Sequence, residues 1–205
     1  MNYFNELAAD FDREPKRIEL ASEVGDAMIE NLRFSPGCQV MDYGAGTGLL
    51  TFKLQPHAGT ITAVDSSEQM LDVIAAKIAR VQVHNVQTLK WNVESDALLP
   101  ASFDIIVGSM VLHHIENTQG AMDRFAMMLK DGGQIAFADL DAEEGDFHSD
   151  ATAAAHRGFD RDEFAAHLRM AGFRNVRFST ASVVRKPTSS GVEKEYPVFL
   201  AAAEK

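Results

Sequence analysis

Apolar residues recur along this chain with two periods that take turns. Between residues 16 and 33, Ile18, Leu20, Val24, Met28, Ile29 and Leu32 fall close to helical spacing, and Pro36-Gly37 breaks the run. Gln39 to Tyr43 reads as a first strand. A helix over Thr47 to Leu54 follows, ended by Pro56. Thr60 to Val64 reads as a second strand, and Ser67 to Val81 carries Met70, Leu71, Ile74, Ile78 and Val81 on one helical face. Val86 to Trp91 reads as a third strand. Phe103-Asp104-Ile105-Ile106-Val107-Gly108 is apolar enough for a strand covered on both faces. A helix over Gln119 to Leu129 closes at Asp131-Gly132-Gly133, and Gln134 to Ala138 is the fifth strand. A helix over Arg161 to Ala171 is stopped by Gly172. The last two strands, Val176 to Val184 and Tyr196 to Ala202, flank Pro187-Thr188-Ser189-Ser190-Gly191.

This order predicts an α/β fold with an open, mostly parallel sheet of seven strands and helices on both faces. Too few residues join the last two strands for a crossover helix, so they are expected to pair antiparallel. Right-handed crossovers then put a ligand crevice at the carboxyl ends of the strands. No repeat or linker interrupts the chain, which reads as one domain over residues 1–205. Residues 1–35 form an N-terminal cap and helix, and residues 141–160 a long irregular loop on the substrate side.

Composition narrows the function. A net charge of −11 argues against a sequence-independent grip on nucleic acid and against docking on anionic membranes. A single cysteine, Cys38, excludes an intrachain disulfide and a cysteine-based zinc site. No basic-then-apolar leader opens the chain and no run approaches ~18 apolar residues, so a cytoplasmic protein is the default expectation.

The chemistry concentrates in Val40-Met41-Asp42-Tyr43-Gly44-Ala45-Gly46-Thr47-Gly48, a glycine-rich turn between a strand and a helix. Residues without a Cβ let a ligand approach bare backbone. Downstream, Thr60-Ile61-Thr62-Ala63-Val64-Asp65 ends a strand on an acid, the usual partner of a ribose diol. Together they point to a nucleoside-bearing cofactor. The pattern is D-x-G-x-G-x-G: the third glycine of a dinucleotide fingerprint falls on Leu49, and no P-loop is present.

That turn resembles the first motif of the class I S-adenosylmethionine-dependent methyltransferases. Val64-Asp65-Ser66-Ser67-Glu68-Gln69-Met70-Leu71, the segment from Phe103 to Ile115 and Leu129-Lys130-Asp131-Gly132-Gly133 extend the resemblance over most of the chain. It is similar to the small-molecule group that includes the ubiquinone and menaquinone biosynthesis C-methyltransferases. The resemblance implies a Rossmann-like sheet and a cofactor site at Asp42, Gly44, Ala45, Gly46, Asp65, Ser66, Met70, Asn92, Val93 and Ser109. In it Asp65 holds the ribose, Met70 packs on the adenine or serves as plain helix core, and Asn92 stands where relatives often have Asp. Backbone at Val93 meets the adenine ring, and Ser109 faces the cofactor's amino end.

On the acceptor side, His113 and His114 follow the fourth strand and suit proton removal near neutral pH. The plainer reading, which the sequence favours, is that each hydrogen-bonds a local helix. Tyr3, Phe4 and Phe11 precede the first helix and, by the resemblance, fold over the cofactor; His148 and His156 lie in the long loop. Asp139, Asp141, Glu143, Glu144, Asp146 and His148 match no metal-ligand register, so no metal is expected. The expected function is methyl transfer to a small-molecule acceptor. The alternatives are a non-catalytic binder of S-adenosylmethionine or S-adenosylhomocysteine, and an oxidoreductase using NAD, against which Leu49 speaks.

Overall fold

The computed structural model describes residues 11–147, 154–188 and 191–205. After a short 3-10 turn at Phe11–Arg13, the elements run α1 (Pro15–Asn31), β1 (Gln39–Tyr43), α2 (Leu49–Leu54), β2 (Thr60–Asp65), α3 (Glu68–Val81), β3 (Val86–Lys90) and β4 (Phe103–Ser109). They continue with α4 (Thr118–Met128), β5 (Leu129–Leu140), α5 (Arg161–Met170), β6 (Arg174–Pro187) and β7 (Glu193–Glu204). One seven-stranded sheet is formed in the order β3-β2-β1-β4-β5-β7-β6. Strands β1 to β5 pair parallel, whereas β7 runs antiparallel between β5 and β6. Among the described residues no helix is long and apolar enough to cross a membrane.

The apolar runs are continuous because both faces of the central strands are covered. Val40, Ile105, Val107, Ala136, Ala138, Val198 and Leu200 face one core, closed by Val24 and Met28 of α1 and by Leu50 and Leu54 of α2. Their neighbours Met41, Ile106, Ile135, Phe137 and Phe199 face the other, closed by Phe125 of α4 and by Phe164 and Leu168 of α5. Each buried Val, Leu, Ile, Met or Phe among them contributes ~1.5–3 kcal/mol. The edge strands β3 and β6 are covered only in part and are largely exposed.

Several boundaries differ from the sequence expectation. Helix α2 starts at Leu49 rather than Thr47, because Gly48 sits in the left-handed region at φ 85° and ends the turn. Strand β5 begins at Leu129, upstream of the Asp131-Gly132-Gly133 turn, with an irregular register against β4 between Phe103 and Ile105.

The strand order reverses between β1 and β4, the topological switch point where a crevice opens. Register aligns the tips around it. Tyr43 pairs with Val64 at the end of β2, and Asp42 pairs with Val107 two residues before β4 ends.

Candidate functional site

The glycine turn is pinned from below. The Ala45 N–H donates to the Val64 carbonyl at 2.9 Å, and the Gly48 N–H to the Ala45 carbonyl at 2.8 Å. The Ala45 side chain packs inward with Ala63, Leu71 and Ile74. The two flanking glycines serve different ends. A Cβ on Gly44 would lie 2.3 Å from Cγ2 of Val111, so its bareness admits the segment after β4. A Cβ on Gly46 would meet nothing within 4 Å. Gly46 therefore borders open space, which suits a ligand. Gly44 thus serves packing along its Cβ direction, while its backbone stays partly exposed.

Asp65, at the tip of β2, faces that space. Its Oδ2 accepts the Gly46 N–H at 2.9 Å and its Oδ1 accepts the Ser67 N–H at 2.8 Å. Burial pushes its carboxyl pKa up, and bonds from the Ser67, Gly46 and Ser66 amides oppose the rise. A carboxylate offers about four acceptor positions, so this half-buried one keeps capacity for hydroxyl donors. The Ser66 side chain is exposed, and the Ser67 hydroxyl caps α3 by accepting from Met70 N–H. Met70 itself is only 1% exposed and fills the inner face of α3 with Leu71 and Ile74. Its burial is what the helix-core reading expects.

Asp42 lies one layer deeper. It is buried, and its Oδ2 accepts the Thr51 hydroxyl at 2.5 Å. Burial is the main cause that lifts its carboxyl from 3.8 to about 7; Thr51 opposes and Asp65 adds to it. Asp42 thus shapes the turn from beneath and has no open face of its own.

Beyond β3, the Asn92 Oδ1 accepts the Glu94 N–H at 2.8 Å, and Asp96 accepts the Asn92 N–H. The amide side chain thus organises the 92–96 turn. The Val93 N–H donates to the Tyr43 hydroxyl at 3.3 Å. Tyr43 stands edge-on to Trp91 and Phe125, and burial pushes its phenol up to about 12. It links the tips of β1 and β3.

At the tip of β4, Ser109 is half-buried and Met110 takes a left-handed φ of 54°. Such strain in a non-glycine residue marks an over-determined position. It turns the chain so that Val111 packs against Gly44.

The two histidines that follow part company. His113 is 1% exposed, and its Nδ1 lies 2.6 Å from Oδ1 of Asp139. Oδ2 of Asp139 also accepts the Leu112 and His113 amides. His113 is thus a buried, hydrogen-bonded side chain, in keeping with the plainer of its two readings. His114 is half-buried and stacks on the His113 ring at 4.1 Å between centroids. Of the two, it alone reaches toward solvent.

In the long loop, His156 Nε2 lies 2.8 Å from the Ile115 carbonyl and 3.3 Å from Thr118 Oγ1. A carbonyl only accepts, so Nε2 carries the proton. The Ala155 and His156 amides donate to the His113 carbonyl. His156 and Ala155 thus tie the loop to the β4–α4 connection. Its acids are engaged too: Asp141 with Arg161, Glu143 with three loop amides, Glu144 and Asp146 with Lys194. Tyr3, Phe4 and His148 lie outside the described residues, as does the Phe11 side chain.

A cleft of about 490 Å³ at the opposite end of the sheet is lined by Arg33, Cys38, Asp104, Lys130 and Gln134. Its charges are already paired, Lys130 with Asp104 and Arg33 with Glu204.

Residues 41–135, from β1 into β5, match a family described as a methyltransferase domain. The chain is 28% identical over 184 residues to an uncharacterized methyltransferase of Schizosaccharomyces pombe, covering 83% of this chain and 63% of that protein. It is 31% identical over 140 residues to a ubiquinone biosynthesis O-methyltransferase of Coxiella burnetii, covering 67% and 59%. A solved S-adenosylmethionine-dependent methyltransferase from Aquifex aeolicus superposes with a TM-score of 0.71 at 20% identity, covering 98% of this chain and 97% of that one. The chain is thus similar to methyltransferases in sequence over residues 41–135 and shares the fold of a solved S-adenosylmethionine-dependent methyltransferase. It spans about three-fifths of the length of the curated relatives it matches.

Around the glycine turn, sequence reasoning missed Tyr43, Thr51, Val111 and the bonding of Asp139. Tyr43 stood inside the quoted motif, and its place between two glycine-turn residues was a signal. The partners of the other three come from distant elements and left no local mark.

Proposed function

We propose that this protein binds S-adenosylmethionine across the tips of β1, β2 and β4 and transfers its methyl group to a small-molecule acceptor. The observation that carries the reading is the open space beside Gly46, bordered by the Asp65 carboxylate. The residues fit the group. Asp65 would accept from the ribose hydroxyls, and backbone at Ala45 and Gly46 would lie along the methionine portion. Ser66 and Ser109 would border it, and the turn held by Asn92 and Val93 would flank the adenine.

When bound, the cofactor supplies a sulfonium-borne methyl carbon that is electrophilic without further activation. The protein's task is then to hold and align two reactants, an effect able to lower the barrier by ~7–11 kcal/mol. His114 is the proton-accepting candidate for an acidic acceptor group. It lies three residues beyond Val111, which touches the glycine turn. The match to a ubiquinone biosynthesis O-methyltransferase supports a small molecule as acceptor.

Calorimetric titration with S-adenosylhomocysteine, followed by methyl-transfer assays with phenols, quinols and amines, tests the proposal. One-to-one binding and turnover of at least one acceptor class are expected. Binding without turnover on any acceptor would favour a non-catalytic binder, and preference for NADH would overturn the cofactor assignment.

A further inference from the structure

Thr47, between Gly46 and Gly48, is held by two charged residues that the cofactor reading does not use. Its side chain is buried at 1% exposure, and its hydroxyl donates to Oδ1 of Asp12 at 2.6 Å. Its carbonyl accepts from Lys77 Nζ at 2.7 Å. Lys77 Nζ closes the ring on Oδ2 of Asp12 at 2.5 Å. Three distant parts of the chain thus meet on one residue: the 3-10 turn before α1, the glycine turn, and the third turn of α3.

We propose that Asp12 and Lys77 form a clamp on Thr47 that fixes the glycine turn in its ligand-accepting shape, acting as positioning residues for cofactor binding. This rests on the functional reading above. The physical need is clear. Gly44, Gly46 and Gly48 all have positive φ, at 69°, 53° and 85°, and glycine loses more freedom on ordering than any other residue. Beneath the turn, Val64 and Asp65 hold Ala45 and Gly46, but they leave the Thr47 carbonyl and hydroxyl unsupported. The clamp supplies both partners. Its ion pair is shielded, with the Lys77 side chain 15% exposed, so solvent screens it less than a surface pair. Lys77 also lies over the Phe52 ring at 5.8 Å, which limits its freedom to swing away. Both charged groups bond Thr47 itself, so the route of their influence on a ligand runs through that residue.

The test uses Asp12→Asn, Lys77→Met, their double variant and the conservative Lys77→Arg. Amide hydrogen exchange on the ligand-free protein reads the turn directly, and S-adenosylhomocysteine titration reads the consequence. Faster exchange at Gly46, Thr47 and Gly48 is expected in both single variants, together with a loss of affinity of about three- to tenfold. The double variant should be scarcely worse than either single one, since the two charges act as one unit, and Lys77→Arg should restore most of the affinity. For an active acceptor, KM for the cofactor rises while kcat at saturation stays level. Unchanged exchange, or faster exchange with unchanged affinity, overturns the proposal even if thermal stability falls. If the wild-type protein binds no S-adenosylhomocysteine, the functional reading fails, and the exchange measurement still decides whether the clamp holds the turn.

Discussion

Two aspartates end strands on the same side of the sheet, and the protein treats them oppositely. Asp139, near the end of β5, is 0% exposed and accepts the amides of Leu112, His113 and Leu140 as well as the His113 ring. Its acceptor capacity is spent on its own chain. Asp65, at the end of β2, binds amides on its inner side and borders open space on the other. A strand-tip carboxylate saturated by protein donors is architecture; one left with capacity beside a bare backbone is the one able to serve a ligand. The same contrast separates Gly44, filled by Val111, from Gly46, filled by nothing.

The largest effect should come from breaking the saturated member. Asp139→Ala strips the acceptor from three buried amides and an imidazole, and a loss of ~3–5 kcal/mol is expected in urea denaturation. Stability within ~1 kcal/mol of wild type would erase the distinction between the two acids.

Asp42 sharpens the comparison, because it is as buried as Asp139 but has fewer donors. Its carboxyl is lifted from 3.8 to about 7. Between those values the folded protein holds a proton that the unfolded chain has released. Stability from this group is therefore full below about pH 4 and is lost as pH rises through about 7. The rise corresponds to roughly 4 kcal/mol. Asp42→Asn should flatten the stability–pH curve across that window relative to wild type. An unaltered curve would mean that Asp42 stays charged in the folded protein.

The glycine pair comes next. Gly44→Ala forces a Cβ against Val111 and should destabilise by about 2 kcal/mol or more. Gly46→Ala should show only the left-handed backbone cost, ~1–2 kcal/mol, while weakening S-adenosylhomocysteine binding. Equal effects of the two substitutions on stability, with binding intact in both, would remove the distinction between a packing glycine and a ligand-facing one.

How far the sequence alone reaches depends on the range of the interaction. The seven strands were legible because local alternation of covered faces writes itself into residues such as Ile105-Ile106-Val107. Gly46 and Asp65 were legible because a turn and a strand tip have short-range spacing. The start of α2 was not, since it depends on a left-handed Gly48 rather than on periodicity. The fate of His113 was not settled either, because its partner lies 26 residues away on β5. Asp12 and Lys77 left no motif at all; only the fold brings them to Thr47.

The most direct measurement compares S-adenosylhomocysteine binding to the wild-type protein and to Asp65→Ala by calorimetry, with thermal stability followed in parallel. Saturable one-to-one binding is expected for the wild type. The variant should lose ~1.5–3 kcal/mol of affinity, the worth of a hydrogen bond to a charged group, with little change in stability. No binding at millimolar ligand, or equal affinity in the two proteins, would contradict the assignment of Asp65 as the binding member of the pair.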